Sequence, residues 1–172
     1  MTSVALALRL VLAVVCLVAA VTKLSGRGSF AAFVRELAAV GIAPRLCPPV
    51  AMAIVVAEVT VAALAPWPAT GLAGAVIASG LMTALTVGVA RSVRRGVPAR
   101  CRCFGSGGGR LTRVHVVRNT GLTCVAVLAV AMTAAVSWQP LDPVGVGIAA
   151  TAAGLAASLV IFFEDVAASV RR

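Results

Sequence analysis

The sequence predicts an all-α integral membrane protein: an antiparallel bundle of four transmembrane helices plus a fifth C-terminal helix, with a short amphipathic helix after the first span. Two compositional facts predict this class, since 61% of the 172 residues are hydrophobic and only 12% are charged. An ordinary soluble domain is far less apolar and more charged. The third observation is that the apolar residues fall into five runs long enough to cross the hydrocarbon core as helices.

The five runs lie in a single predicted membrane domain, 1–172. They cover residues about 4–24, 47–65, 70–91, 114–138 and 143–163. An apolar N-terminal run is also typical of a cleaved signal peptide. Here Arg9 interrupts the run and no small residue directly precedes Cys16, so we interpret it as a retained helix.

The segment after the first span, residues about 29–40, predicts a short helix lying on the membrane surface. Its apolar residues fall largely on one face, opposite Arg35 and Glu36, which is typical of an interfacial helix. Ser29 is a candidate cap at its start and Gly41 a stop at its end. The alternative is that this segment simply continues the first helix.

The turns between the later spans also follow from the sequence. Pro48 and Pro49 are tolerated in the first turn of the second span, and "APWPAT" forms a tight connection to the third. A polar loop at 94–112 joins the third span to the fourth, and small residues in the last span suit close helix packing.

The net charge of +10 does not indicate nucleic-acid binding, because of where the charges fall. Alternation of five spans places thirteen of the fifteen Lys and Arg residues on one side of the membrane. The connections on the other side, "APWPAT" and "WQPLDP", contain none. Cytoplasmic loops are enriched in these residues. We therefore expect an extracytoplasmic N-terminus, a cytoplasmic C-terminus and loop 94–112, and contact of the basic loops with lipid head groups.

The motif "CRCFG" contains two cysteines one residue apart, Cys101 and Cys103. Their Cα atoms can be at most about 7 Å apart, so a disulfide, which needs roughly 4.4 to 6.8 Å, is sterically possible but strained. Strain makes a disulfide easier to reduce, and the flanking arginines favour the reactive thiolate. The motif therefore predicts a dithiol that cycles between reduced and oxidised forms.

Two other interpretations of the cysteine pair stay open. The pair is either a set of idle reduced thiols, or part of a zinc or copper(I) site completed by Cys47 and His115. Cys16 and Cys124 lie within spans, where cysteine is usually a small apolar packing residue.

Glu58 is the only carboxylate well inside an apolar run, which makes it a functional candidate. Counting 1.5 Å per helical residue places Arg9 at about the same depth, so a buried Arg9–Glu58 pair that fixes helix register is one interpretation. The other is a polar patch for a quinone or a proton, completed by Lys23, Arg118 and Asn119. The sequence fixes no cofactor, and a membrane quinone is the candidate.

Several of these features together resemble the methylamine utilization protein MauE family, which is grouped with the DoxX-like membrane proteins. They are "TKLSG" closing the first span, "FAAFVRELAAVGIAP" after it, Glu58, "CRCFG", and "VVRN" opening the fourth span. The resemblance runs from about residue 5 to residue 140. It implies a multi-pass protein of the bacterial inner membrane, with Cys101 and Cys103 as a redox pair.

The resemblance further implies that Lys23, Glu58, Arg118 and Asn119 are supporting polar residues. It also implies thiol-disulfide exchange with a thioredoxin-like partner, or help in maturing a disulfide-containing protein such as the small subunit of methylamine dehydrogenase. The alternative is a non-enzymatic scaffold or small-solute transporter in which the cysteine pair is structural or binds metal.

Overall fold

In the computed structural model, which describes residues 2–96, 113–135 and 143–169, the chain forms six α-helices and no strand. Their bounds are α1 Thr2–Leu24, α2 Ser29–Ala39, α3 Cys47–Leu64, α4 Gly71–Arg94, α5 Arg113–Ala135 and α6 Pro143–Ser169. All except α2 contain a segment long and apolar enough to cross a membrane. The predicted fold class is confirmed, including the short helix after the first span.

Four of the spans form a ring in which α1 packs on α3, α3 on α4, α4 on α5, and α5 back on α1. The contacts between α1 and α3 show that these helices are antiparallel. Arg9, early in α1, bonds Pro66 after the end of α3, whereas Lys23, late in α1, bonds Glu58 within α3. The fifth span, α6, packs outside this ring, along α1.

The central helix is α1, which contacts each of the other five helices. Of its most apolar window, 56% of the residues are buried, compared with 17% to 28% for the other spans. The other spans therefore turn most of their apolar surface outward, where lipid covers it. Around α1 the core is rich in alanine, which lets helix backbones approach closely where lipid gives no hydrophobic drive for association. The core alanines include Ala13, Ala75, Ala78, Ala126, Ala129 and Ala153.

We call the end of the bundle where α1 and α4 stop and α3 and α5 begin the basic end, and the opposite end the far end. The basic end carries a set of exposed arginines. They are Arg27, Arg35, Arg45, Arg91, Arg94, Arg95 and Arg113.

Helix α2 lies at the basic end, against α1 and α3. Phe33 and Leu37 are buried against Cys47 and Ala51 of α3 in a small cluster separate from the main core. The N-cap of α2 is Gly28, with a φ of 90°. The predicted cap, Ser29, instead donates its hydroxyl to the carbonyl of Ser25 at 2.8 Å, because the chain turns one residue earlier than the motif suggested.

A close approach joins α4 to the far end of α3. A Cβ atom on Gly74 would lie 2.7 Å from the backbone nitrogen of Ala65 and 2.8 Å from its Cα. Because these are backbone atoms, they cannot move aside as a flexible side chain would. The absence of a side chain at Gly74 is therefore what allows the two helices to meet.

We expect Gly74→Ala to lower the melting temperature of the purified protein in detergent, since overpacking costs about 1 to 3 kcal/mol. The matched control is Gly80→Ala in the same helix, where an added Cβ meets nothing within 4 Å. Alanine is the better helix former, so the control should leave the melting temperature unchanged or raise it. Equal melting temperatures for the two variants would contradict the close approach.

Candidate functional site

The candidate site is built around a buried ion pair between α1 and α3. Lys23 Nζ donates to Glu58 Oε1 at 2.6 Å, and the two side chains are 4% and 2% exposed. The same ammonium group donates to the carbonyl of Ala19 at 3.2 Å and lies 5.1 Å from the centre of the Phe33 ring. A cation over an aromatic face is attracted by it, so α2 also takes part in holding Lys23.

The helix geometry explains why these two residues meet. Side chains in a helix lean toward its N-terminus. Because α1 and α3 are antiparallel, Lys23 leans away from the basic end and Glu58 leans toward it. The long lysine stem then crosses the remaining distance along apolar surface.

The predicted Arg9–Glu58 pair is wrong, because Glu58 pairs with Lys23. Arg9 is fully buried and donates from Nη2 to the carbonyl of Pro66 at 3.1 Å, near the far end. The depth estimate compared Cα positions only and ignored the direction and reach of the side chains. Gly71 packs directly on the Arg9 guanidinium, where any Cβ would collide with it.

A small cavity adjoins the ion pair, in the gap between α3 and α5. These helices lie across the ring from each other and make no direct packing contact within the described chain. The cavity has a volume of about 20 Å³, and its polar lining residues are Lys23, Glu58 and Asn119. This is room for about one water molecule. Within the described residues, Glu58 Oε2 has no hydrogen-bond partner.

The structure thus brings together three of the predicted polar residues: Lys23, Glu58 and Asn119. The fourth, Arg118, is buried beside Asn119 on α5, as is His115, but neither lines the cavity. Phe33 is the residue whose role the sequence did not reveal. Its position on the apolar face of α2 predicted burial, but nothing in the pattern indicated that its ring would meet a cation.

The cysteines are only partly described. Cys101 and Cys103 lie outside the described residues. Cys16 is buried in the main core, as expected of a packing residue. Cys124 is exposed on the outside of the bundle, so it lies within a span but does not belong to the main core.

Cys47 is buried, and its thiol donates weakly to the carbonyl of Ala43 at 3.4 Å. Of the predicted metal ligands, only Cys47 and His115 fall in the described part of the chain. Within that part, no three His, Cys, Asp or Glu residues are grouped to hold a metal ion.

Comparison with known proteins identifies a family. A family model described as methylamine utilisation protein MauE matches residues 1–132, which takes in α1 to α4 and most of α5. No curated protein and no solved structure matches the chain.

The ion pair can be tested by a double-mutant cycle. We expect Lys23→Met to destabilise the protein by about 3 to 5 kcal/mol, because it leaves Glu58 as an uncompensated buried charge. The double variant Lys23→Met/Glu58→Met should recover most of this loss, since it removes both charges. Unfolding in detergent micelles measures the unsubstituted protein, the two single variants Lys23→Met and Glu58→Met and the double variant, with Arg35→Met as the exposed-cation control. Strictly additive effects would show that the two side chains do not interact.

Proposed function

Because the chain belongs to the MauE family of methylamine utilisation proteins, we propose that it performs thiol-disulfide exchange in the membrane, with Cys101 and Cys103 as the reacting pair. The chain is a multi-pass membrane protein, and its family places it in a methylamine-utilisation-related membrane function. The finer assignment rests on the arginine-flanked cysteine motif between α4 and α5. The partner is a thioredoxin-like protein, or a disulfide-containing protein under maturation.

The exchange proceeds by direct attack of sulfur on sulfur. The thiolate of one cysteine attacks the partner's disulfide and forms a mixed disulfide, and one partner sulfur leaves as a thiolate. The second cysteine then attacks the mixed bond, which closes the Cys101–Cys103 disulfide and releases the partner as a dithiol. Two electrons pass to the partner, and the reverse sequence passes them back.

The charge distribution supports an orientation for this chemistry. The exposed arginines of the basic end lie where α4 stops and α5 begins, so the connection that contains Cys101 and Cys103 leaves and re-enters the bundle there. By the positive-inside rule, we propose that this end is cytoplasmic in the bacterial cell membrane and that the N-terminus is outside.

A membrane quinone is the proposed cofactor class for restoring the cysteine pair. It does not fit the cavity beside Glu58 as described, because a volume of about 20 Å³ holds a water molecule and not a ring. No step through a quinone is therefore assigned to Lys23, Glu58 or Asn119.

A second candidate function is a non-enzymatic scaffold or small-solute transporter. The observation that favours it is the Lys23–Glu58 pair beside a cavity, since ionisable residues inside a membrane often mark a solute or proton path. In this case the cysteine pair is structural or binds metal.

Trapping of mixed disulfides tests the exchange. Cys101→Ser or Cys103→Ser removes the cysteine that resolves the intermediate, so we expect one of them to accumulate a covalent adduct with a thioredoxin-like protein in cells. The adduct is detected as a reducible shift on a gel and identified by mass spectrometry. The controls are Cys124→Ser and the double variant Cys101→Ser/Cys103→Ser. Neither control should accumulate the covalent adduct. If neither single variant forms an adduct, the exchange mechanism is wrong.

Labelling tests the orientation. In intact cells a membrane-impermeant thiol reagent should leave Cys101 and Cys103 unmodified, and it should modify them once the membrane is opened. The positive control is Trp67→Cys in a variant whose native cysteines are serine, because Trp67 is 66% exposed in the connection at the far end. Labelling of the native pair, but not of this control, in intact cells would mean that the orientation is inverted.

A further inference from the structure

The carboxylate of Glu58 is only half used by its ion pair. Oε1 accepts the bond from Lys23 at 2.6 Å, whereas Oε2 has no hydrogen-bond partner in the described part of the chain. A buried acceptor left without a partner costs about 1 to 3 kcal/mol, and more when it is charged. An ion pair whose sole role was to fix the register of α1 against α3 would need only one oxygen of the Glu58 carboxylate. The second oxygen, Oε2, therefore calls for another explanation.

The cavity beside Glu58 explains why Oε2 has no partner among the described residues. Its volume of about 20 Å³ exceeds the roughly 10 to 15 Å³ that a single water needs, and a buried water is stable with two to four polar partners. The carboxylate, the side chain of Asn119 and the ammonium of Lys23 line this space. We propose that Glu58 is a proton-binding site that exchanges its proton through one water molecule held beside Asn119, with Phe33 of α2 controlling access.

The charges in the site favour a proton over other ligands. A metal cation is disfavoured because Lys23 already places a positive charge against the carboxylate, and no cluster of three His, Cys, Asp or Glu residues lies among the described residues. An organic ligand exceeds the volume. A proton on Oε2 neutralises the carboxylate while Oε1 keeps its bond to Lys23, so the site can change charge without losing the contact between α1 and α3.

Access to the cavity involves Phe33, whose ring lies against Lys23 and lines the same space. The flanks of α2 contain Gly26, Gly28 and Gly41, with φ values of 110°, 90° and 96°, a backbone region that glycine enters without strain. Only a small apolar cluster fixes α2 to α3. A modest movement of α2 therefore opens the cavity toward the basic end.

Exchange then follows a simple balance. When Phe33 moves aside, the cavity water takes up a proton from the aqueous phase and passes a proton to Oε2; release is the reverse. Lys23 bonds the Glu58 carboxylate directly. The other titratable and charged groups on the helices around Glu58 are Arg9 and Cys16 on α1, Arg35 and Glu36 on α2, Arg91 and Arg94 on α4, and Arg113, His115, Arg118 and Cys124 on α5. Helix α2 presents Phe33 to the cavity and α4 presents Met82 and Leu85, none of which titrates.

Infrared difference spectroscopy of the purified protein in lipid nanodiscs tests the proposal. On titration from high to low pH, we expect the carbonyl band of a neutral carboxylic acid to appear. The component of this band that arises from Glu58 should be lost in Glu58→Gln and kept in Glu36→Gln. Lys23→Met should move the midpoint of that component to higher pH, because removing the cation favours the neutral acid. A band of undiminished intensity in Glu58→Gln, or the absence of any carboxyl band over the whole range in which the protein stays folded, overturns the proposal.

If Glu58→Gln does not fold, the band can be assigned without altering the site. The chain has only three glutamates, Glu36, Glu58 and Glu164. In the variant Glu36→Gln/Glu164→Gln, incorporation of ¹³C-carboxyl glutamate should shift the band. A band that does not shift belongs to an aspartate and excludes Glu58.

Deuterium exchange of the same band tests the role of α2. We expect Phe33→Ala to accelerate the exchange several-fold and Phe30→Ala, on the same helix but outside the cavity lining, to leave it unchanged. Equal effects of Phe33→Ala and Phe30→Ala on the exchange rate would exclude control of access to the cavity by Phe33. The titration should persist in Cys101→Ser/Cys103→Ser, so this proposal and the proposed thiol exchange can fail independently.

Discussion

The ion pair between Lys23 and Glu58 is the contact on which much of the site depends. Ionised groups inside a membrane have no water to solvate them, so they must face a partner or a cavity. Here the pair sets the register of α1 against α3 and brings the Phe33 ring of α2 onto the lysine. It also turns the Glu58 carboxylate toward the ring interior, where the gap between α3 and α5 leaves a water-sized space.

The chemistry of the molecule is concentrated toward the basic end. Lys23, the apolar cluster under α2 and the buried polar residues at the start of α5 lie in this half of the bundle, which is also where the cysteine-containing connection begins and ends. The far half is held differently, by the hydrogen bond from Arg9 to Pro66 and by the close approach at Gly74. Rigid packing in one half therefore supports a polar, more openly built site in the other.

The sequence predicted the helices well because hydropathy and length determine which segments can span a membrane. It also identified Lys23, Glu58 and Asn119 as polar residues inside those segments. It did not predict that Lys23, and not Arg9, would meet Glu58, because that depends on side-chain direction between two antiparallel helices. Nor did it predict that α1 is central or that Cys124 faces outward, since apolar spans of similar composition do not reveal which of them pack together.

The burial of two cations in α1 affects how the chain enters the membrane. A lysine or arginine at the middle of an isolated span raises its insertion free energy by about 2.5 to 3.5 kcal/mol. This cost concerns Arg9, since Lys23 lies one residue from the end of α1. Helix α1 is also the most apolar of the five spans, so it tolerates this cost. Arg9 and Lys23 find their described partners 57 and 35 residues further along the chain, so these two contacts form only when α3 has followed α1 into the bilayer.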